Sequence, residues 1–129
     1  MRDRQGFTLL EALVALAIVG IAGVAALAAL GTELRSAERA ATAFQTSALA
    51  EDRIAAIALL APDELSLLPD SLARSRFAPP LDGYRWDASV EAVPDERDLY
   101  DVTVRVEGDG ASHALRTRLY RPRPLLRLP

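Results

Sequence analysis

The residue types that most often carry catalysis or metal binding are scarce in this chain. It has 129 residues, no cysteine and a single histidine, His113. A thiolate metal site and a cysteine nucleophile are therefore excluded, and no second histidine could complete a metal cluster. The sequence contains no phosphate-binding loop, nucleophile elbow or paired catalytic carboxylates. We therefore predict a protein that is not an enzyme, with no catalytic residues, no bound metal and no cofactor.

The charged residues in the C-terminal third of the chain suggest two candidate binding sites. Four carboxylates near a turn could hold calcium, but they lack the ordered ligand spacing of a calcium loop, so a solvated loop is favoured: Asp95, Glu96, Asp98 and Asp101. Five arginines could dock on an acidic face of a partner, although an exposed strand and a frayed tail explain them as well: Arg116, Arg118, Arg121, Arg123 and Arg127. His113 is interpreted as structural or solvated. The formal net charge of -3 argues against nucleic-acid binding.

One carboxylate stands in an unusual place. Glu11 directly precedes residues 12–31, which are twenty residues without a polar side chain. An acid in a membrane segment is costly and predicts a functional role. Cleavage after Gly6 would give Glu11 a partner, because the new amine of Phe7 would lie about one helical turn before it. In a bundle of helices shifted by one turn, the amine of one subunit can pair with Glu11 of the next, which makes the carboxylate an assembly signal.

The apolar run must position that carboxylate. As a helix, residues 12–31 would be about 30 Å long, which matches the hydrocarbon core of a membrane, and they are apolar on every face. Arg2 and Arg4 precede the run, so we expect the N-terminus in the cytoplasm and the rest across the membrane. A cleaved secretory signal would have a shorter apolar region. A plain signal anchor would leave Glu11 without a role.

The hexapeptide Gly6-Phe7-Thr8-Leu9-Leu10-Glu11 resembles the class III signal of type IV pilins and type II secretion pseudopilins. The resemblance implies that a prepilin peptidase cuts between Gly6 and Phe7. It also implies that the new amine of Phe7 is methylated, and that Glu11 is the assembly glutamate that pairs with such an amine.

Within that superfamily, the stretch from Phe7 to Ile18 resembles the I-type minor pseudopilins of type II secretion. The short chain, a strand that begins at 84–86 and a later strand at 102–106 point the same way. The resemblance implies a tip complex with other minor pseudopilins. This complex primes assembly of the major pseudopilin at the inner-membrane assembly platform, for export of folded proteins across the outer membrane.

Three different proteins could carry a similar opening. A minor type IV pilin of the V type, serving pilus assembly, twitching or adhesion, shares nearly the same N-terminal residues. A plain single-pass membrane protein with a binding domain would keep its first six residues. A periplasmic enzyme on a membrane tether would need a catalytic constellation, and the sequence shows none.

The helix is expected to continue beyond the membrane, with charged residues at 51–53 that suggest a break or kink, and to end at Pro62. A three-four spacing predicts its buried stripe: Leu34, Ala37, Ala41, Phe44, Ala48, Ala55 and Ala58. Three strands follow, beginning near Tyr84, Tyr100 and Ala111, with alternating apolar residues and a hairpin signal at 107–110.

The predicted fold is α+β, with a long N-terminal transmembrane, pilin-type helix packed on a small antiparallel sheet. The expected organisation is a leader (1–6), a transmembrane or assembly half of the helix (7–31), a periplasmic half (32–61), a connector (62–83), the sheet (84–121) and a tail (122–129). We expect a single-pass protein of the bacterial inner membrane. Its N-terminus would be cytoplasmic before processing and its C-terminal domain periplasmic.

Overall fold

The computed structural model describes Gly6 and residues 8–124. The chain divides between Glu38 and Arg39 into two compact units, and this boundary lies within the first helix, α1 (Leu9–Ala58). The first unit carries the apolar half of α1, which is rich in alanine and leucine, both strong helix formers. Its large apolar side chains are exposed, from 51% at Val14 to 81% at Leu9. Nothing in the described part of this unit buries them.

The second unit is an α+β structure, as the sequence predicts. It contains the C-terminal part of α1, two short helices and a four-stranded antiparallel sheet with strand order β1-β2-β3-β4. The short helices are α2 (Pro62–Ser66) and α3 (Asp70–Ala73). The strands are β1 (Arg74–Arg76), β2 (Arg85–Ala92), β3 (Leu99–Gly108) and β4 (Ala111–Tyr120).

The three longer strands lie where the alternation of apolar residues predicts them. The turn between β3 and β4 has two residues in the left-handed region, Asp109 with φ 49° and Gly110 with φ 73°. Two positive φ angles in a two-residue loop are the geometry of a type I′ hairpin, for which Asp-Gly is a favoured pair. Strand β1 was not expected, because its three residues are Arg-Ser-Arg and have no apolar alternation.

One face of the sheet packs on the helices and forms the core. Val102, Val104 and Val106 of β3 are fully buried, and Trp86 and Ala88 of β2 lie beside them. Leu49, Ala50 and Ile57 of α1 supply the helical side of the same cluster. Leu65 and Phe77 of the connector are also buried, whereas Leu67 is 85% exposed. The connector therefore packs against the sheet through only some of its apolar residues.

The predicted buried stripe of α1 is wrong. Phe44 is 76% exposed, and Ala41, Ala48 and Ala55 are also exposed. The buried face instead carries Thr46, Leu49, Ala50 and Ile57. Alanine occurs on every side of this helix and contributes little apolar area, so the larger side chains decide which face is buried.

The buried face of α1 can contain a threonine because the hydroxyl of that residue forms hydrogen bonds within the helix. Thr46 Oγ1 donates to the carbonyls of Thr42 and Ala43, with oxygen–oxygen distances of 3.1 and 3.0 Å. A hydroxyl with such partners is buried at little cost.

The predicted break at residues 51–53 is also wrong, since α1 continues to Ala58. The Arg53 guanidinium lies 4.8 Å from the centre of the Trp86 ring and 5.3 Å from that of Phe77. These two rings are themselves in contact, with centroids 4.7 Å apart. A cation over aromatic faces is attracted to them, so the arginine belongs to the buried face of the helix. Pro62 then begins α2, where its missing N–H is tolerated.

Candidate functional site

The expected cleavage position lies just before α1. Gly6 is exposed, and no described atom lies within 4 Å of the place that a Cβ would occupy. Phe7, the expected new N-terminus and methylation site, lies outside the described residues. At Gly6 the described fold leaves room for a larger side chain, so the described residues do not themselves require glycine there.

Thr8 caps the start of the helix. The Glu11 backbone N–H donates to Thr8 Oγ1 at 3.2 Å, and the Ala12 N–H donates to the Thr8 carbonyl at 3.1 Å. A threonine in this position satisfies one of the N–H groups that a helix start leaves unpaired. This role of Thr8 was not predicted from the sequence, although the Thr-x-x-Glu spacing is the signature of a capping box.

Glu11 lies in the first turn of α1, where a carboxylate is stabilised by the partial positive charge of the helix N-terminus. Its side chain is exposed, and within Gly6 and residues 8–124 no ion pair includes it. The carboxylate is therefore accessible to a cation from outside the monomer. The cap at Thr8 and the first turn of α1 thus place the carboxylate of Glu11 at the N-terminal end of an apolar helix.

The helix behind Glu11 is long and apolar enough to cross a membrane. No residue of its most apolar stretch is buried by the part of the chain that the structure describes. Removing this surface from water needs lipid or other apolar helices, because each Å² of exposed apolar area costs about 25 cal/mol. The arrangement is consistent with a membrane-anchored, single-pass protein.

The four carboxylates considered for calcium do not share one environment. Asp95 and Asp98 lie in the loop between β2 and β3, both with φ 64°. Asp101 lies on β3 and accepts hydrogen bonds from Arg118 Nε and an Arg116 terminal nitrogen, each at 2.8 Å. The bond from Arg118 and then that from Arg116 lower the pKa of Asp101, against the opposing effect of desolvation. Among the described residues, no group of three or more acidic, histidine or cysteine side chains is placed to hold a metal.

The basic residues considered for partner docking are distributed between the sheet and the tail. Arg116 and Arg118 project from β4 on the outer face of the sheet, where they share Asp101. The Arg121 backbone N–H donates to the Asp98 carbonyl at 2.7 Å, which extends the pairing of β4 by one residue. Arg127 lies outside the described residues. His113 is half-buried on β4, opposite Val106.

A contact that the sequence did not reveal joins the start of β2 to the β3–β4 turn. The Tyr84 hydroxyl donates to Asp109 Oδ2 at 2.8 Å. This hydrogen bond, with desolvation and the nearby negative charge, raises the pKa of Tyr84. Because tyrosine is the proton donor in the pair, the contact stabilises its neutral form.

Comparison with known protein families gives a match at the N-terminus. The family described as "Prokaryotic N-terminal methylation motif" matches residues 1–27. Neither the curated proteins nor the solved structures yield a match to the chain. The matched segment contains Gly6, Phe7 and Glu11, and it continues into the apolar half of α1. The chain therefore carries, over residues 1–27, an N-terminal methylation motif of the type IV pilin and pseudopilin kind.

Proposed function

We propose that this protein is a minor pseudopilin of the type II secretion system. In this role it joins a tip complex that primes assembly of the pseudopilus, and so supports export of folded proteins across the outer membrane. The observation that carries the proposal is the methylation motif over residues 1–27, which continues into a membrane-length helix whose large apolar side chains are exposed. Such a helix needs neighbours, and a filament of like subunits supplies them.

The proposed processing removes residues 1–6. A prepilin peptidase cuts after Gly6, and the freed amine of Phe7 is methylated. Glu11 then pairs with the amine of a neighbouring subunit. An exposed carboxylate without an ion pair in the described chain is the form that such a pairing requires, since the charge is costly in lipid alone and satisfied in the assembly.

The proposal of a minor rather than an abundant subunit is supported by the stretch from Phe7 to Ile18, which resembles that of I-type pseudopilins. The proposed partners are the other minor pseudopilins, the major pseudopilin and the inner-membrane assembly platform. In this arrangement the protein spans the inner membrane once and its sheet lies in the periplasm. The proposed boundaries are the leader at 1–6, the assembly half of the helix at 7–31, its periplasmic half at 32–61, the connector at 62–83, which also carries β1, the three longer strands of the sheet at 84–121 and the tail at 122–129.

Deletion of the gene in the native host tests the proposal when two phenotypes are scored. We expect enzymes that are normally exported to accumulate in the periplasm while twitching motility persists. Return of export on expression of the full chain in the deletion strain excludes effects on neighbouring genes. Normal export with loss of twitching or surface pili would instead identify a minor type IV pilin. Normal export with normal pili would contradict both assignments.

A further inference from the structure

Strand β4 is a long, regular edge of the sheet. It runs for ten residues, Ala111–Tyr120, and within the described chain it pairs only with β3. Its register with β3 advances without a skipped residue from Gly108 opposite Ala111 to Leu99 opposite Tyr120, so it has no bulge. The strand contains no proline. The opposite edge, β1, is only three residues long. Bulges, proline and short length are devices that protect sheet edges, and β4 has none of these three; the protecting device that it does carry is charge, at Arg116 and Arg118.

The backbone of β4 presents hydrogen-bonding groups outward at alternate residues. In a two-residue hairpin the residues that flank the turn, Gly108 and Ala111, form a hydrogen-bonded pair, and pairing alternates from there. The bond from the Arg121 N–H to the Asp98 carbonyl, at the other end of the strand, fits this alternation. The N–H and carbonyl groups that point away from β3 are therefore those of the even-numbered residues: Ser112, Ala114, Arg116, Arg118 and Tyr120.

The inner face of the sheet is incomplete at this edge. Val102, Val104 and Val106 of β3 have no exposed surface. The β4 side chains opposite these valines are only half-buried: Thr117, Leu115 and His113. Leu119, further along the strand, is also half-buried. One more strand beside β4 would cover this row and extend the core.

The outer face of the same edge carries unbalanced positive charge. Arg116 and Arg118 share the single carboxylate of Asp101, so the three side chains together keep one positive charge. A second copy of β4 in centred antiparallel pairing would place Arg116 opposite or diagonal to an arginine of the other copy, and like charges on neighbouring strands are destabilising. A strand with acidic residues on that face would be attracted instead.

We propose that β4 is a docking edge for an extended segment of a different protein. This segment adds a fifth strand, with apolar residues toward the helix side and acidic residues toward Arg116 and Arg118. Main-chain hydrogen bonds provide the affinity and the alternating side chains provide the selectivity. The docking edge belongs to the second unit alone and does not depend on the proposed function.

Hydrogen exchange of the full chain in detergent micelles, followed residue by residue by NMR, tests this proposal. The probes are two synthetic ten-residue peptides, one alternating valine with glutamate and the other valine with lysine. We expect the glutamate peptide to slow exchange of the amides of Ala114, Arg116 and Arg118 by about tenfold or more. We expect the lysine peptide to leave them unchanged.

Two variants of one residue provide a matched control. Ala114→Pro removes an N–H that points outward, a position at which an edge strand tolerates proline, so the β3 amides should remain protected while the peptide effect disappears. Ala114→Thr keeps the N–H and should retain the effect. If Ala114→Pro does not fold, Arg116→Glu replaces it, and this variant should lose the response to the glutamate peptide.

Three outcomes would overturn the proposal. They are no protection by the glutamate peptide, equal protection by both peptides, and protection of the even-numbered β4 amides that rises with protein concentration alone. The last would show that the occupant is a second copy of this chain. None of these outcomes alters the export phenotype on which the proposed function depends.

Discussion

The ring of Tyr84 lies against the backbone of Gly108, so close that a Cβ on Gly108 would clash with the tyrosine Cδ1. Gly108 is the last residue of β3, and Tyr84 stands beside it just before β2 begins. The next residue, Asp109, accepts the Tyr84 hydroxyl. An aromatic ring over a strand glycine covers backbone that would otherwise be exposed. The pair therefore joins the turn of the β3–β4 hairpin to the neighbouring strand.

Replacing this glycine should destabilise the second unit. Gly108→Ala forces the Tyr84 ring to move, and overpacking of this kind costs about 1–3 kcal/mol in the free energy of unfolding. Urea denaturation of the variant in micelles measures the cost. In the background of Tyr84→Ser the same substitution should cost little, because the ring that it displaces is gone. An equal cost in both backgrounds would show that the close contact is not the cause.

The ion pairs on the outer face predict a dependence of stability on acid. The folded-state pKa of Asp101 is lowered, chiefly by Arg118 and then by Arg116, whereas an unfolded aspartate has a pKa of about 3.9. Between the folded and the unfolded pKa values of Asp101, the folded state therefore binds fewer protons than the unfolded state. The stabilisation is present above pH of about 4 and is lost as the pH falls through the folded pKa.

We expect Asp101→Asn to be less stable than the parent protein at neutral pH, and the difference to shrink below pH of about 4. Thermal unfolding over a pH series measures this. Glu51→Gln, at an exposed acid on α1 and not on the sheet, is the control and should change little at any pH. A difference that stays constant down to pH of about 2 would exclude the titration of Asp101 as its cause.

Local patterns predict the sheet better than the helix face. Strands β2, β3 and β4 are visible in the sequence because their apolar residues alternate, and the Asp109-Gly110 turn is visible because few other pairs adopt two positive φ angles. The buried face of α1 is not visible, since alanine fits either side and the face includes a threonine, Thr46, and the half-buried Arg53. Whether a charged residue such as Arg53 breaks a helix depends on distant partners, here Phe77 and Trp86.

At the candidate functional residues, too, local features are predicted from the sequence and contacts between distant residues are not. The segment from Gly6 to Glu11 was identified by its residue types and spacing, and the family match covers it. The contact of Tyr84 with Asp109 joins residues 25 positions apart, so it depends on strand register and not on a local pattern. The docking edge at β4 likewise required the strand order, because sequence alone does not show which strand lies at the side of a sheet.

The position of Arg53 predicts a cost for removing its charge. Arg53→Met keeps most of the aliphatic stem but loses the attraction to Trp86 and Phe77, which is worth about 0.5–2 kcal/mol in a partly desolvated site. It also loses the exposed ion pair with Asp52, which adds at most about 1 kcal/mol. Chemical denaturation followed by the fluorescence of Trp86, the single tryptophan, gives the free energy of unfolding. Glu51→Met, at an exposed position of the same helix, is the control. Equal stabilities of the two variants would rule out a specific role for the guanidinium.

The open surroundings of Gly6 make it a clean test of processing. Since a Cβ there meets no described atom, Gly6→Ala should leave the fold and stability unchanged. If a prepilin peptidase reads this position, the variant should keep its first six residues in the native host. Intact-protein mass spectrometry measures the N-terminus. Detection of an uncut N-terminus in the parent protein would contradict the whole processing proposal, whereas normal cleavage of the variant would show only that the enzyme accepts alanine.

The last prediction separates the carboxylate of Glu11 from the capping of the helix. The cap bond joins Thr8 Oγ1 to the backbone N–H of Glu11, so Glu11→Gln leaves it in place while removing the charge. We expect this variant to be cleaved and methylated but to enter assemblies poorly. Because the chain has no cysteine, a single introduced cysteine reports neighbours by cross-linking without background. Thr8→Val, which loses the cap and keeps the carboxylate, should assemble more nearly as the parent does. If Glu11→Gln cross-links as efficiently as the parent, pairing between the carboxylate and a neighbour's amine does not drive assembly.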